Sequence, residues 1–502
     1  MLIRILAFVL LVTATLRAQQ PIVAPEVTPT ALTIYNENFA VARTRIDADL
    51  HAGSNVVTTD RVTTQLEPDS VVLTDTSRRA SSKGSGFHIL EQNYDAGVVT
   101  QDWLLNKYEG KTIDFQIGEG FYADNHFVPP PVVQGRIIRA TGNQPLIDVN
   151  GHMQFRLPGT PLFPVVTDGL LLKPTLRWQI ESEKAQHLSA ELAYVTGGLK
   201  WEATYNVVTP SMGEPGKAST TVGEEHADVV GWVSIENKTG TEFPKAQIKL
   251  MAGDVAKIVN QKHQVNSQSM TVMGGNFGAV GDVTEKAFDD FHLYDLHRTV
   301  SLSNGEVKQI QFIEAFGVTL VRSYTYDGAS QFGTPAGSFI QQQNYGTGSE
   351  NTSVHIADAI KNSQANHLGM ALPAGRIRLY RRDTDGQMEF VGESMINHTP
   401  AEDTVRITTG NAFDVKGSRH QTDFHINQNS RTVDEVFEIG LTNQKAEPVT
   451  VNVVEHLYRG GNWEIQKPST EWTKLDSHTI QFALKVPSKG EAKLTYAVHY
   501  TW

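Results

Sequence analysis

Along much of this chain apolar and polar residues alternate with a period of two, and that period constrains the fold more than any other feature. In the stretch 243–252, Ala246, Ile248, Leu250 and Ala252 share one face while Gln247 and Lys249 share the other. Successive side chains of an extended strand point to opposite sides, so this is the signature of a half-buried strand. Residues 229–236 carry the same pattern, and Asn237-Lys-Thr-Gly240 between the two predicts a hairpin. Little of the sequence has a 3.6-residue period. The expected class is therefore all-β, mainly antiparallel, with very little helix.

Turn chemistry divides the chain. Asn36-Glu-Asn38 separates two alternating runs from Ala31 onward, Ala52-Gly-Ser-Asn55 marks the next turn, and 66–73 reads as another strand. One helix is expected after a Thr100 cap, carrying Trp103, Leu104, Leu105 and Tyr108 and ending before Gly110. Short runs then follow to Leu157, with Asn150-Gly151 as a strong hairpin signal, which suggests a small barrel-like β module. Further on, residues 376–382 should pair with 387–393 across Asp383-Thr-Asp-Gly386. The expected organisation is a signal peptide at 1–18, a Pro-rich leader at 19–29 and an N-terminal β module at 30–95. A short helix plus the barrel-like module would occupy 96–160, and a central β-sandwich 161–325, with a Gln/Asn/Ser/Gly-rich mobile loop at 261–282. A flexible insertion at 326–353 and a C-terminal β-sandwich at 354–502 complete it. No repeat of fixed period is apparent.

Composition removes whole classes of chemistry. The chain has no cysteine, so disulfides, thiolate zinc sites, iron–sulfur clusters and cysteine nucleophiles are excluded together. A formal charge of −12 offers no overall field for nucleic acid or anionic lipid. Met1 to Ala18 combines Arg4, an apolar run and a small-residue exit, as in a secretory signal peptide. The expectation is an exported protein, periplasmic or extracellular and soluble, with no transmembrane helix once the signal is removed.

The specific catalytic motifs G-x-S-x-G, H-E-x-x-H, the P-loop and the EF-hand loop are missing. Gly118-Glu-Gly120-Phe-Tyr-Ala123 follows a strand but precedes no helix that could face a pyrophosphate, so it reads as a loop and no cofactor is expected. The best local cluster for a divalent metal is His398, His420, Asp423 and His425, because Asp423 and His425 share one face of a strand. Exposed polar residues on a strand are the plainer account. Candidates for catalysis are Asp423, His425 and Glu455. Glu455 and His456 are adjacent in a strand and face opposite sides, so they do not form an acid–base pair. Leu494, Tyr496, Val498, Tyr500 and Trp502 alternate to an aromatic end, as in the closing strand of an outer-membrane barrel or the last strand of a sandwich. The short, charged strands elsewhere favour the sandwich.

Several stretches carry a resemblance: Tyr194-Val-Thr-Gly-Gly-Leu-Lys-Trp-Glu-Ala-Thr-Tyr205, Gly231-Trp-Val-Ser-Ile-Glu-Asn-Lys-Thr-Gly240, the strand from Ala246 ending Ala-Gly-Asp254, and His292-Leu-Tyr-Asp-Leu296. Leu372-Pro-Ala-Gly-Arg-Ile-Arg-Leu-Tyr380, Phe390-Val-Gly-Glu393, Phe413-Asp-Val415 and Gln421-Thr-Asp-Phe424 continue it. Together, over residues 190–502, they resemble a domain-of-unknown-function family of exported bacterial proteins related to the mucoidy inhibitor A group. Residues 36–72 look like the N-terminal β module of such proteins. The resemblance implies a multi-domain β protein of the cell envelope; it brings no reaction and no catalytic residues, and the long coiled-coil insertion of that group is missing here. The functional expectation is a non-enzymatic binding or structural module with a protein or glycan partner, its contacts made by the 261–282 loop or the aromatics near Trp463. An envelope hydrolase and an outer-membrane-associated β protein are the rivals.

Overall fold

The computed structural model describes residues 22–23, 29–76, 87–96, 100–123, 126–140, 144–164, 173–210, 223–253, 255–257, 283–329, 341–343, 345, 348–349, 351–460 and 462–502. The expected signal segment 1–18, most of the leader 19–29 and the loop 261–282 lie outside the described residues. Strands dominate, and Gln101–Lys107 is the one α-helix among the described residues. The chain is all-β and mainly antiparallel, as its alternation requires.

The helix and the sheet beside it form a small core of their own. The Trp103 amide donates to Thr100 Oγ1 at 3.1 Å, the expected cap, and Leu105 and Tyr108 pack on Ile113, Phe115, Ile137 and Ile147. The sheet runs His152–Gln154, Leu146–Val149, Val132–Arg139, Thr112–Gln116, Thr160–Leu162. Asn150 and Gly151 both take positive φ, as a tight hairpin turn demands. The expected barrel is instead an open sheet: its two outer strands do not pair among the described residues, and the helix covers the apolar face that closure would have enclosed. After Gly118-Glu-Gly120 comes a separate two-strand ribbon, Phe121–Ala123 with His126–Val128.

Two larger cores hold the rest. The first is formed by a seven-stranded sheet, a four-stranded sheet that carries Trp178 and one part of a fourteen-stranded sheet, and includes Leu32, Ile34, Trp178, Leu192, Trp201, Tyr205, Leu250, Phe312 and Ile407. The second includes Tyr326, Val415, Phe437, Val451, Phe482, Leu494, Tyr496 and Tyr500. Pairing ignores the sequence ranges expected for domains. Ala31–Tyr35 pairs in parallel with Phe243–Ala252, Phe39–Leu50 pairs with Gln186–Gly197, and Gly375–Arg382 pairs in parallel with Leu199–Thr209. Segments from 30–95 and 354–410 thus complete the first core. The stretch 66–73 is only partly extended, because Pro68–Ser70 is a 3-10 turn before Val72–Asp75.

The predicted hairpin at residues 237–240 is an arch. Glu224–Asn237 pairs with Leu199–Thr209 and Val307–Tyr326, whereas Phe243–Ala252 lies in the opposite sheet and pairs with Phe291–Leu302. Asn237, fully buried, explains the crossing. Its Nδ2 donates to the carbonyls of Thr241 and Ser303 at 2.9 and 3.1 Å, and its Oδ1 accepts from the Thr239 amide at 3.1 Å. Asn443 repeats this: Nδ2 donates to Glu447 O and Pro487 O at 2.8 and 3.0 Å, and Oδ1 accepts from the Lys445 amide at 2.9 Å. Around Asn443 the strands Thr404–Asn427, Thr432–Asn443, Val449–His456, Thr479–Val486 and Gly490–Thr501 are joined as are Leu199–Thr209, Glu224–Asn237, Phe243–Ala252, Phe291–Leu302 and Val307–Tyr326. One five-strand plan therefore occurs twice, a duplication that no fixed sequence period announces.

The 20-residue strand Val307–Tyr326 and the 24-residue strand Thr404–Asn427 run through both cores. On the former, Val318 and Leu320 enter the first core and Tyr324 and Tyr326 the second. Arg322 stands between them, bidentate to the buried Asp358 at 2.9 and 3.1 Å and flanked by Glu225, which Arg381 also binds. This ionic group marks the boundary between the cores.

Candidate functional site

The second core contains charges where the first has hydrocarbon. On Thr404–Asn427 the inward series Val415, Gly417 continues to Arg419, and on Thr432–Asn443 the inward series Val433, Phe437 includes Glu435. Arg419 is 1% exposed and Glu455 0%. Arg419 Nε donates to both Glu455 carboxylate oxygens at 3.1 and 2.9 Å, and the Tyr496 hydroxyl donates to Glu455 Oε2 at 2.5 Å. The guanidinium lies 3.9 Å from the centre of the Phe437 ring. Beside this triad Arg459 Nη2 donates to Glu435 Oε1 at 2.6 Å, and the Gln421 amide donates to the same oxygen at 2.6 Å.

Burial fixes the protonation of these groups. Desolvation holds the Tyr496 and Tyr500 hydroxyls well above the usual phenol range, so both remain protonated. Desolvation is the largest influence on Arg419 and opposes its charge, but Glu455 together with Tyr496 and Tyr458 outweighs it and keeps the guanidinium a cation. Two arginines and two glutamates balance, and each carboxylate has a partner in place. At the rim His456 Nε2 meets Asp327 Oδ2 at 2.9 Å, and its ring stacks on Tyr458. The hydrogen bond with Asp327 raises the His456 pKa above 6.5, outweighing partial burial. Tyr345, Arg419, Glu435, Phe437, His456, Tyr458, Arg459 and Tyr500 surround a void of about 10 Å³, room for about one water molecule. The arrangement can orient and hold; the space has room for a water molecule beside the buried Arg459 Nε, which has no hydrogen-bond partner among the described residues.

The residues singled out from sequence fall in different places. Asp423 and His425 share the exposed face of their strand, as expected, while Phe424 and Ile426 turn toward the core. His420 is exposed on the same strand. His398 lies in the loop after Met388–Ile396, where its Nδ1 accepts from the Ala374 amide at 3.1 Å. Glu455 is buried, so it shares no surface with Asp423 and His425. Among the described residues no three His, Asp or Glu side chains gather into a metal-holding group. Trp463 is half-buried against Trp472 at the sandwich edge, with Lys474 over its ring and its indole N–H donated to Ser477 O. The C-terminal strand turns Leu494, Tyr496, Val498 and Tyr500 into the second core, which makes it a sandwich strand with an inward apolar face. Sequence reasoning missed Arg419, Glu435 and Arg459; a charge inside an inward apolar series on two neighbouring strands was the available signal.

Exposed apolar side chains concentrate elsewhere. On the ribbon Phe121–Ala123/His126–Val128, Tyr122 is 77% exposed, Phe121 60% and Phe127 56%. Register places Phe121 opposite Val128 and Tyr122 opposite Phe127, so the ribbon is apolar on both faces. Ile117, Val132, Met153, Phe155 and Leu162 of the adjoining sheet and its loops are exposed as well. Searches against protein-family models and curated proteins found no match for this chain. No helix among the described residues is long and apolar enough to cross a membrane.

Proposed function

We propose that this chain is an exported, non-enzymatic β protein of the cell envelope that binds another protein through the ribbon strands Phe121–Ala123 and His126–Val128. The observation that carries the reading is the ribbon's exposure. A two-strand ribbon is marginal alone in water, and clustered exposed aromatics mark a surface that a partner covers. Apolar side chains on both faces suit insertion between two walls of a protein groove; a glycan would be met by polar groups around a single aromatic platform. The sealing of the charged groups in the second core also favours binding over catalysis. Export rests on the apolar segment near Met1 and on the resemblance to exported envelope proteins.

A photo-crosslinking residue at position 122 of the full chain, expressed in exporting bacteria, tests this. The expected result is a discrete protein adduct that is lost in F121S/F127S and not formed from position 475, where Leu475 is also an exposed apolar residue but distant in sequence. Adducts of equal yield from both positions, or none, would overturn the proposal. So would a shift in melting temperature with envelope glycan that F121S/F127S abolishes.

A further inference from the structure

The duplicated plan allows three of the buried charges of the second core, Arg419, Glu455 and Glu435, to be matched with counterparts in the first. Counting back from the arch asparagines, Arg419 pairs with Ile439 and its counterpart Ala203 pairs with Val233. Glu455 corresponds to Leu250 in the sixth register step from each arch, and Tyr496 to the bulge shared by Phe312 and Ile313. Glu435 corresponds to Val229. The triad Arg419, Glu455 and Tyr496 thus stands where the first core has Ala203, Leu250 and Phe312, all buried in its apolar cluster. Phe312 fills the space left by Gly231, the counterpart of Phe437. The same five-strand plan closes there without a buried charge, the polar atoms of Tyr205, Tyr294 and Trp201 being hydrogen-bonded to carbonyls, so the fold does not require the charges. Buried ion pairs are frequently matched or surpassed in stability by apolar residues of similar volume.

What the second core has in addition is a pair of chain stems resting on it. Tyr326, Asp327, Gly328 and Ala329 leave the shared strand over Arg419; a Cβ at Gly328 would sit 3.0 Å from that of Arg419. Asp327 binds His456, and the Ala329 carbonyl accepts from the Tyr458 hydroxyl. From the other side Arg459 donates to the carbonyls of Gln342 and Tyr345 at 2.8 and 3.3 Å, and the Tyr345 ring meets Tyr458 edge-on. We infer that the charged cluster is a dock built into the second core: Arg419, Glu455 and Glu435 position His456, Tyr458 and Arg459, which hold residues 327–329, 341–343 and 345 against the sandwich.

Transplanting the first core's residues tests this in the full chain. With methionine rather than alanine at 419, so that no cavity opens beside Phe437, R419M/E455L/Y496F should fold with an unchanged or higher melting temperature. Hydrogen exchange in residues 327–329, 341–343 and 345 should quicken by about tenfold or more, with the strands of the first core unaffected. Tyr458→Phe, which removes one hydroxyl and leaves every ion pair in place, should quicken exchange in residues 327–329 alone. If the triple variant fails to fold, the charges are a requirement of the fold and the inference is wrong. It is equally wrong if both variants keep wild-type protection in the stems.

Discussion

The two large cores are close to an internal control experiment. Each is reached by an arch with a buried asparagine, each uses the same five strands, and they differ in what fills the centre: Ala203, Leu250 and Phe312 in one, Arg419, Glu455 and Tyr496 in the other. Since backbone plan is held constant, the difference separates what closes a sandwich from what is added for another purpose. Apolar packing closes it, each fully buried large side chain contributing about 1.5–3 kcal/mol. The charges come in matched sets, because a single one could not be tolerated.

The largest test of that contrast is to break a set. Glu455→Leu alone should destabilise the protein by about 3–5 kcal/mol in chemical denaturation, since it leaves Arg419 buried without its carboxylate. Leu250→Glu should be at least as damaging, because no guanidinium awaits it in the first core. If Glu455→Leu instead matches the triple transplant in stability, the pairing has no energetic weight and the contrast fails. Next in size, Asn237→Ala and Asn443→Ala should each cost about 1–3 kcal/mol by orphaning buried carbonyls, with similar losses if the arches are equivalent. Unequal losses would show that one arch is structural and the other incidental. The smallest effect is expected at the rim. The His456 pKa is raised in the folded state by Asp327, so this contact stabilises fully below 6.5 and its contribution is lost as pH rises through the raised value. Asp327, Glu455 and Asp476 are the charges that act on it. Stability measured against pH for wild type and His456→Gln should converge at high pH; parallel curves would remove His456 from the account.

Local structure was readable because it depends on local chemistry. Thr100 capped its helix, Asn150-Gly151 turned its hairpin, and Asp383-Thr-Asp-Gly386 joined its two strands, with the Gly386 amide bonded to Asp383 O. Partner choice was not readable. Asn237-Lys-Thr-Gly240 has the composition of a hairpin turn, and only the reach of Asn237 Nδ2 to Ser303, 66 residues away, sends the chain across to the other sheet. The duplication left one short trace, Ser303-Asn-Gly-Glu-Val-Lys308 beside Ser488-Lys-Gly-Glu-Ala-Lys493, too brief to register as a repeat. Of the candidate residues, Glu455 belongs to the buried cluster, but its partner Arg419 was invisible: alternation marks which face a side chain takes, and a charged residue there reads as surface until its counter-charge is placed. The exposed ribbon has no sequence signal of its own, because Phe121 and Phe127 look like any core aromatics in a sequence.

The strands Val307–Tyr326 and Thr404–Asn427 also have a mechanical meaning. Neighbouring compact units are ordinarily joined by a linker that bends, and load on one need not reach the other. Here both units are threaded on two common beams, so a hinge between them would have to break ladder hydrogen bonds in each. A pull on either end is shared, and no single backbone cut between the cores releases either one whole.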